Sequence, residues 1–230
     1  PGRISAHQRA VSRDERKVVP MVSFKIDPKR TALLVVDMTK AYFPPDSPAY
    51  LPAAGEILPR INALIGLCRS KGIPVIHTRP AHRVDGSDMG LLALFLPSFR
   101  DEKMDQARRD RQELYSALDV EDGDMVIDKI RFSIFMGTEL DLVLRQRGIE
   151  TIIIGGVATN TCCDMTAKHA SLLNYQVIFL SDGNGARALP RFGGGQYTPE
   201  EVQEFVLSTL ASVWTQVASV EEVMAGIRGG

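Results

Sequence analysis

Residues 152–162 read Ile-Ile-Ile-Gly-Gly-Val-Ala-Thr-Asn-Thr-Cys, an apolar run that passes through two glycines to a thiol. Two other apolar runs also end near a reactive side chain: residues 33–36 stop at Asp37, and residues 125–127 are followed by Asp128 and Lys129. In an open parallel sheet, the carboxyl ends of the strands line the binding crevice. A carboxylate, an ammonium and a thiol are therefore expected to meet there.

Apolar extended runs alternate with helical periodicity along most of the chain. Strands are predicted at residues 31–36, 74–77, 125–127, 151–154, 177–180 and 213–217. Helices are predicted at residues 57–68, from 140 to a stop at Gly148, at 162–173 and at 198–211, with a partly helical connection over 91–115. Because strands separated by helices imply right-handed crossovers, this order predicts a doubly wound α/β fold. Its mainly parallel six-stranded sheet would carry helices on both faces.

The length of 230 residues and the hydrophobic content of 44% suit one sizeable core. Residues 25–230 are therefore predicted to form a single domain. Residues 1–24 contain several basic side chains but little periodic apolar pattern. We interpret them as an arm outside the core, either a solvated tail or a segment that wraps a partner subunit.

The formal net charge of −1 argues against nucleic acid or an anionic membrane surface as partner and favours a small molecule. No stretch approaches the roughly 18 apolar residues of a membrane span, and the N-terminus lacks the apolar core of a signal peptide. The cysteines, Cys68, Cys162 and Cys163, suit neither a disulfide framework nor a C-x-x-C metal site. A cytoplasmic protein in a reducing compartment is expected.

The thiol of Cys162 is the sharpest chemical signal, because the first turn of a helix stabilises a thiolate and offers N–H donors to an oxyanion. Asp37 could take the thiol proton and later return it to a leaving amine. Lys129 could keep Asp37 ionised while favouring the thiolate. Each residue also has an ordinary interpretation: Asp37 as a turn residue, Lys129 as a solvated charge, and Cys162 as a small buried hydrophobe.

The chain resembles the isochorismatase-like cysteine hydrolases over residues 31–223, most strongly at residues 34–38, 129–140 and 156–167. This family includes nicotinamidases, N-carbamoylsarcosine amidases, ureidoacrylate amidohydrolases and biuret or triuret hydrolases. The resemblance implies a Rossmann-like three-layer sandwich, a covalent acyl-enzyme and a homo-oligomer, either a dimer or a tetramer.

The catalytic triad of that family carries over to Asp37, Lys129 and Cys162, the last because it stands six residues after the motif glycine. The resemblance also implies a cis peptide bond between Val157 and Ala158, which would turn an N–H towards the oxyanion. Together with the amide of Cys162, this N–H would form the oxyanion site.

Several positions depart from the family pattern. Thr39 stands where Gln is common, and Cys163 stands where Val is usual; we interpret Cys163 as a packing residue, with a redox role as the alternative. His77 and His82 lack the Asp-x-His pattern through which nicotinamidases bind a metal, so no catalytic metal and no other cofactor is predicted. The histidines are interpreted as polar residues of a strand end and a loop, or alternatively as contacts to substrate.

The thiol implies hydrolysis of a carbon–nitrogen bond rather than of the vinyl ether that isochorismatase cleaves. The flanking motifs look most similar to the N-carbamoylsarcosine amidase, biuret and triuret hydrolase branch, which implies a small carbamoyl or ureide substrate and release of ammonia. Hydrolysis of ureidoacrylate, nicotinamide or isochorismate, or binding without turnover, remain as alternatives.

Candidate substrate-binding residues are also proposed for this mechanism. They are Phe43, Phe132, Phe135, Asn160, Thr161 and Arg187. The three phenylalanines could form walls of the pocket or pack in the core. Arg187 is the candidate to bind a substrate carboxylate, and a solvated arginine is the alternative.

Overall fold

A computed structural model describes residues 22–83, 85–95 and 106–229. The strands are β1 (Thr31–Val36), β2 (Val75–Pro80), β3 (Met125–Lys129), β4 (Thr151–Val157), β5 (Gln176–Gly185), β6 (Leu189–Pro190), β7 (Gln196–Tyr197) and β8 (Gln216–Ala218). The α-helices are α1 (Pro52–Ser70), α2 (Leu92–Phe95), α3 (Gln106–Gln112), α4 (Leu140–Gln146), α5 (Asp164–Leu172), α6 (Pro199–Val213) and α7 (Val220–Gly229). Short 3₁₀ turns cover Pro28–Arg30 and Lys40–Tyr42, and a π-helical turn covers Thr159–Cys163.

The main sheet has six parallel strands in the order β3-β2-β1-β4-β5-β8. The chain builds outward from β1 to β3, then returns to the other side of β1 and continues to β8. The order therefore reverses between β1 and β4, which is the switch point where doubly wound sheets form their binding crevice. The doubly wound parallel fold predicted from the sequence is confirmed.

Both faces of the sheet are covered by helices. Leu33 and Val35 of β1 belong to a core formed with α1 and α7, whereas Leu34 and Val36 belong to a second core formed with α4, α5 and α6. Because side chains alternate across a strand, a strand buried on both faces needs apolar residues at every position. This requirement explains the uninterrupted apolar run of β1.

The sixth strand of the sheet begins later than the sequence pattern suggests. Residues 213–217 were expected to be extended, but α6 continues to Val213 and Trp214 caps it through its N–H to Leu210 O. The Thr198 side chain and Glu201 form a capping box at the other end of this helix. Because the apolar Val213 and Trp214 end a helix, the strand that follows is only three residues long, Gln216–Ala218.

Residues 1–21 of the predicted arm lie outside the described residues. Its last residues are described, and Phe24 packs against the first core while its N–H donates to the Gln216 side chain at 2.6 Å. Of the predicted connection over 91–115, residues 96–105 are also outside the described part. Within the described ranges, no helix is both long and apolar enough to cross a membrane.

Candidate active site

Three ionisable side chains converge at the carboxyl edge of the sheet. Asp37 directly follows β1, Lys129 is the last residue of β3, and Cys162 lies in the π-helical turn after β4. The Lys129 Nζ is 2.8 Å from Asp37 Oδ2 and 3.3 Å from Cys162 Sγ. All three residues are buried, with exposed fractions of 1%, 3% and 6% for Asp37, Lys129 and Cys162. The ammonium therefore bridges the carboxylate and the sulfur.

The ion pair keeps Lys129 protonated although it is buried. Burial alone would lower the pKa of Lys129, but the negative charge of Asp37 and the sulfur of Cys162 outweigh it and raise the pKa above its ordinary value. Lys129 is consequently a fixed positive charge rather than a proton donor or acceptor at neutral pH.

The thiol of Cys162 is protonated at rest. Burial and the Asp37 carboxylate together raise the pKa of Cys162 to about 12, although Lys129 opposes both effects. The sequence favoured a stabilised thiolate at a helix N-terminus, but burial beside a carboxylate outweighs the nearby cation. A base must therefore remove the proton before this sulfur can act as a nucleophile.

Asp37 is held in place by a neighbouring strand. Its φ is +50°, and the Thr78 hydroxyl of β2 both accepts from the Asp37 N–H at 3.2 Å and donates to Asp37 Oδ1 at 2.7 Å. Sequence reasoning missed Thr78 because the second strand was predicted to end at His77. Because Thr78 is a polar residue directly after that predicted strand end, its position could have indicated a contact at the edge of the sheet.

The loop before Cys162 has a tightly defined backbone. The peptide bond between Val157 and Ala158 is cis, at the position that the family resemblance implies. The Ala158 carbonyl accepts from the N–H groups of Thr161 at 3.1 Å and Cys163 at 3.3 Å. Gly156 has a φ of +122°, and a Cβ there would collide with the carbonyl of the neighbouring β1 strand. Only glycine therefore lets the end of β4 approach the end of β1, which Asp37 directly follows.

A cavity of about 60 Å³ opens beside the three side chains. Besides Asp37, Lys129 and Cys162, its walls include Tyr42, His82, Leu92, Arg131 and Phe132. Burial raises the pKa of Tyr42, and Asp37 raises it further, so the phenol stays neutral. Tyr42 and Arg131 were not among the sequence candidates, because nothing in their local pattern separates them from ordinary loop residues.

The three candidate phenylalanines lie in different places. Phe132 lines the cavity. Phe43 stacks on Tyr115 with ring centroids 3.6 Å apart, and it packs against the first core. Phe135 is buried in the second core, 5.3 Å from the ring of His169. Phe43 and Phe135 thus bury their rings against other residues, and Phe132 is the one of the three that lines the described cavity.

The polar candidates Asn160, Thr161 and Arg187 lie near Tyr42 and the π-helical turn that contains Cys162. Asn160 Oδ1 accepts from the Arg187 N–H at 2.9 Å, and the Thr161 hydroxyl donates to the Ala158 carbonyl at 3.4 Å. The Arg187 guanidinium donates to the Ala49 carbonyl at 3.0 Å and lies 5.8 Å from the Tyr42 ring centroid. Arg187 is therefore engaged by backbone and an aromatic face, not solvated as the alternative interpretation had it.

The histidines and Cys163 have separate environments. His77 is fully buried and pairs through Nε2 with Asp124 at 3.1 Å, and burial lowers the pKa of this imidazole. His82 lines the cavity, with Nδ1 3.2 Å from Asp88. Cys163 is fully buried in the second core, where burial raises its pKa.

Among the described residues, no three His, Cys, Asp or Glu side chains are grouped to hold a metal ion.

Comparison with known proteins identifies the family of this chain. The family model for the isochorismatase domain matches residues 31–222. Ureidoacrylate amidohydrolase RutB of Pseudomonas syringae pv. syringae (strain B728a) is 30% identical over 223 residues, covering 86% of this chain and 84% of the relative. The isochorismatase family protein YwoC of Bacillus subtilis (strain 168) is 32% identical over 166 residues, covering 70% of this chain and 81% of the relative.

Among solved structures, a cysteine hydrolase from Pseudomonas syringae pv. phaseolicola 1448A superimposes with a TM-score of 0.86 at 36% identity. The match covers 91% of this chain and 98% of that chain. An isochorismatase family protein from Desulfovibrio vulgaris subsp. vulgaris str. Hildenborough superimposes with a TM-score of 0.72 at 30% identity, covering 85% and 98% of the two chains.

Proposed function

This chain belongs to the isochorismatase domain family. We propose that it cleaves a carbon–nitrogen bond of a small carbamoyl or ureide compound and releases ammonia. It is a hydrolase of the cysteine class that acts on amide bonds. The observation that carries the proposal is the placement of Lys129 Nζ within 3.3 Å of both Asp37 and Cys162, beside a small cavity.

The first step of the proposed reaction is removal of the thiol proton. Because the pKa of Cys162 is raised to about 12, little thiolate exists at neutral pH, and Asp37 accepts the proton as substrate binds. The Lys129 ammonium, 3.3 Å from the sulfur, then stabilises the negative charge left on it. Asp37 therefore accepts the proton, and Lys129 stabilises the thiolate that remains. Both roles require the two side chains to be buried beside the sulfur.

The thiolate then attacks the carbonyl carbon, and a carbon–sulfur bond forms as the carbonyl oxygen becomes an oxyanion. The amides of Thr161 and Cys163 already donate to the Ala158 carbonyl, so we assign the oxyanion to the amides of Ala158 and Cys162. The carbon–nitrogen bond breaks, and protonated Asp37 gives its proton to the leaving ammonia. Water then attacks the thioester or thiocarbamate, returns a proton through Asp37 and releases the free thiol.

The size and chemistry of the cavity support a small substrate. Its described walls combine the rings of Tyr42 and Phe132 with the ionic groups at its base. Planar amide and urea groups can lie between aromatic walls while their carbonyl faces the sulfur. Relatives named as ureidoacrylate amidohydrolases, which cover most of this chain, favour a ureide in the same class. N-carbamoylsarcosine, biuret and triuret belong to that class as well.

Hydrolysis of a panel of compounds tests this proposal, measured as ammonia release for the amides and ureides and as pyruvate release for isochorismate, which contains no nitrogen. The panel contains N-carbamoylsarcosine, ureidoacrylate, biuret, triuret, nicotinamide and isochorismate, each incubated with the wild-type protein and with Cys162→Ala. We expect hydrolysis of at least one ureide at a kcat/KM above that for nicotinamide, and none with Cys162→Ala. Preferential hydrolysis of nicotinamide or isochorismate would overturn the substrate class. Binding of a ureide without any turnover would instead favour a non-catalytic binding protein.

A further inference from the structure

Arg131 lines the same cavity, two residues after Lys129, and its backbone carbonyl accepts from Lys129 Nζ at 3.2 Å. Its guanidinium Nη1 donates to the carbonyls of Asp88 at 2.7 Å and Ile130 at 2.6 Å. Neutral backbone acceptors therefore fix the orientation of this group without neutralising its charge. An arginine held in this way is preorganised to bind an anion, because less side-chain freedom is lost on binding.

Among the described residues that line the cavity, cationic side chains outnumber carboxylates. Asp37 and Lys129 offset each other, Arg131 adds a second cation, and the Asp88 carboxylate, which His82 contacts at 3.2 Å, is not a lining residue. None of the ion pairs within the described ranges includes Arg131. The described wall thus has an excess of positive charge, which attracts a substrate that carries a negative group outside its reacting carbonyl.

The glycine next to the Arg131 guanidinium keeps side-chain atoms away from Nη2. Gly90 has a φ of +56°, and a Cβ built on it would lie 3.3 Å from Arg131 Nη2. Both hydrogen bonds of the guanidinium to described residues come from Nη1. Nη2 and Nε consequently remain to form the two parallel hydrogen bonds through which arginine binds a carboxylate.

Arg187 is the other cation near the site, but its position is different. Its Nη2 donates to the Ala49 carbonyl, and its guanidinium lies on the Tyr42 ring. Tyr42 itself lines the cavity, so Arg187 stands behind a wall residue rather than forming the wall. We expect Arg187 to support Tyr42 and the loop that contains Ala49.

From these observations we infer that Arg131 binds the carboxylate of an anionic ureido acid and selects it over neutral ureides, an inference that rests on the amidohydrolase proposal. Arg131 is a specificity-determining residue in this role. A ureido acid here means a compound with a terminal carbamoyl group and a carboxylate a few bonds away. The carbamoyl carbon faces Cys162 while the carboxylate reaches Arg131.

Binding without turnover gives the first test. In the Cys162→Ala background, calorimetry compares the Kd of N-carbamoylsarcosine and of ureidoacrylate with the Kd of their neutral methyl esters. We expect the acids to bind more tightly, and Arg131→Gln to weaken the acids by about 10- to 100-fold while changing the esters little. Arg131→Lys should retain part of the preference because it keeps the charge but loses the paired geometry. Unchanged affinity for the esters shows that the variants are folded.

Matched variants distinguish carboxylate binding by Arg131 from a purely structural effect of the Arg131→Gln substitution. Arg147→Gln makes the same change at an exposed position at the C-terminal end of α4, and it should leave both affinities unchanged. Arg187→Gln should weaken acids and esters alike, since it acts through Tyr42. Equal losses for acids and esters in Arg131→Gln, or selective loss of the acids in Arg187→Gln, would overturn the inference.

Turnover by the otherwise wild-type protein distinguishes this inference from the proposed function. Faster hydrolysis of ureido acids, reduced selectively by Arg131→Gln, supports both. Preferential hydrolysis of neutral biuret or triuret would leave the amidohydrolase proposal standing and overturn the role of Arg131. Carboxylate-dependent binding without ammonia release would support the role of Arg131 and contradict the proposed reaction.

Discussion

The hydroxyl of Thr78 is joined to Asp37 twice: it accepts from the Asp37 N–H at 3.2 Å and donates to Asp37 Oδ1 at 2.7 Å. Both residues are buried; Thr78 lies in β2, and Asp37 directly follows the adjacent strand β1. This pair of hydrogen bonds orients the carboxyl group so that its other oxygen, Oδ2, faces Lys129 at 2.8 Å. Thr78 is thus a positioning residue for the proposed proton carrier.

Replacement of this hydroxyl by a methyl group should affect both catalysis and stability. We expect Thr78→Val to lower kcat by about tenfold or more with little change in KM, because the proton carrier loses its orientation but the cavity walls remain. An unsatisfied buried oxygen should also reduce the free energy of unfolding by about 1–3 kcal/mol. Thr78→Ser keeps the hydroxyl and serves as control. Equal kcat values for wild type and Thr78→Val would contradict this role.

The two adjacent cysteines should respond in opposite ways to substitution. Cys162→Ser should reduce turnover by ~10³-fold or more, because serine is less acidic than a thiol and a weaker nucleophile in this setting. Cys163→Val should preserve most of the activity, since Cys163 is fully buried in the second core and valine is also apolar. Steady-state ammonia release measures both. The reverse pattern would move the nucleophile to Cys163.

The cation near the sulfur should control both rate and thiol reactivity. Lys129→Ala should lower kcat by ~10²-fold or more with a smaller change in substrate affinity. The Lys129 charge lowers the pKa of Cys162. Without this charge the pKa rises further, so alkylation of Cys162 by iodoacetamide at neutral pH should slow. Lys71→Ala, an exposed lysine after α1, is the matched control, and circular dichroism checks that both variants fold. Alkylation as fast as in wild type would show that Lys129 does not tune the thiol.

The raised pKa of Cys162 also predicts how the free protein responds to pH. With a pKa of about 12, the thiolate fraction rises about tenfold for each pH unit between pH 7 and pH 9. Alkylation of Cys162, followed by peptide mass spectrometry, should therefore accelerate across this range without reaching a plateau. A plateau near neutral pH would indicate a preformed thiolate, as the helix N-terminus alone had suggested.

Chelation gives a final prediction. Because the described residues contain no group of three potential ligands, dialysis against EDTA should leave kcat and KM unchanged. Ammonia release before and after dialysis measures the effect, and buffer without chelator is the control. Loss of activity that added Zn²⁺ or Mn²⁺ restores would contradict the predicted absence of a metal.

The local sequence pattern was enough to predict the strands of the main sheet and the edge of the sheet at which the three ionisable residues meet. The run of β1 is apolar at every position because both of its faces are buried, and such a run can be recognised in the sequence. The end of α6 was harder to predict, because Val213 and Trp214 suit a strand or a buried helix end equally well. Leu210 and Trp214 pack in the second core while Val213 is exposed, and these tertiary contacts are not encoded in local periodicity.

The sequence by itself determined that a carboxylate, an ammonium and a thiol stand at strand ends, since parallel strands place all such ends at one edge. Only the tertiary structure decided which side chains surround them. Thr78 meets Asp37 across 41 positions of chain, and Arg131 is oriented by the carbonyl of Asp88, 43 positions away. The protonated state of Cys162 likewise follows from burial beside Asp37. Contacts of this kind depend on how loops pack over the sheet, which residue spacing does not specify.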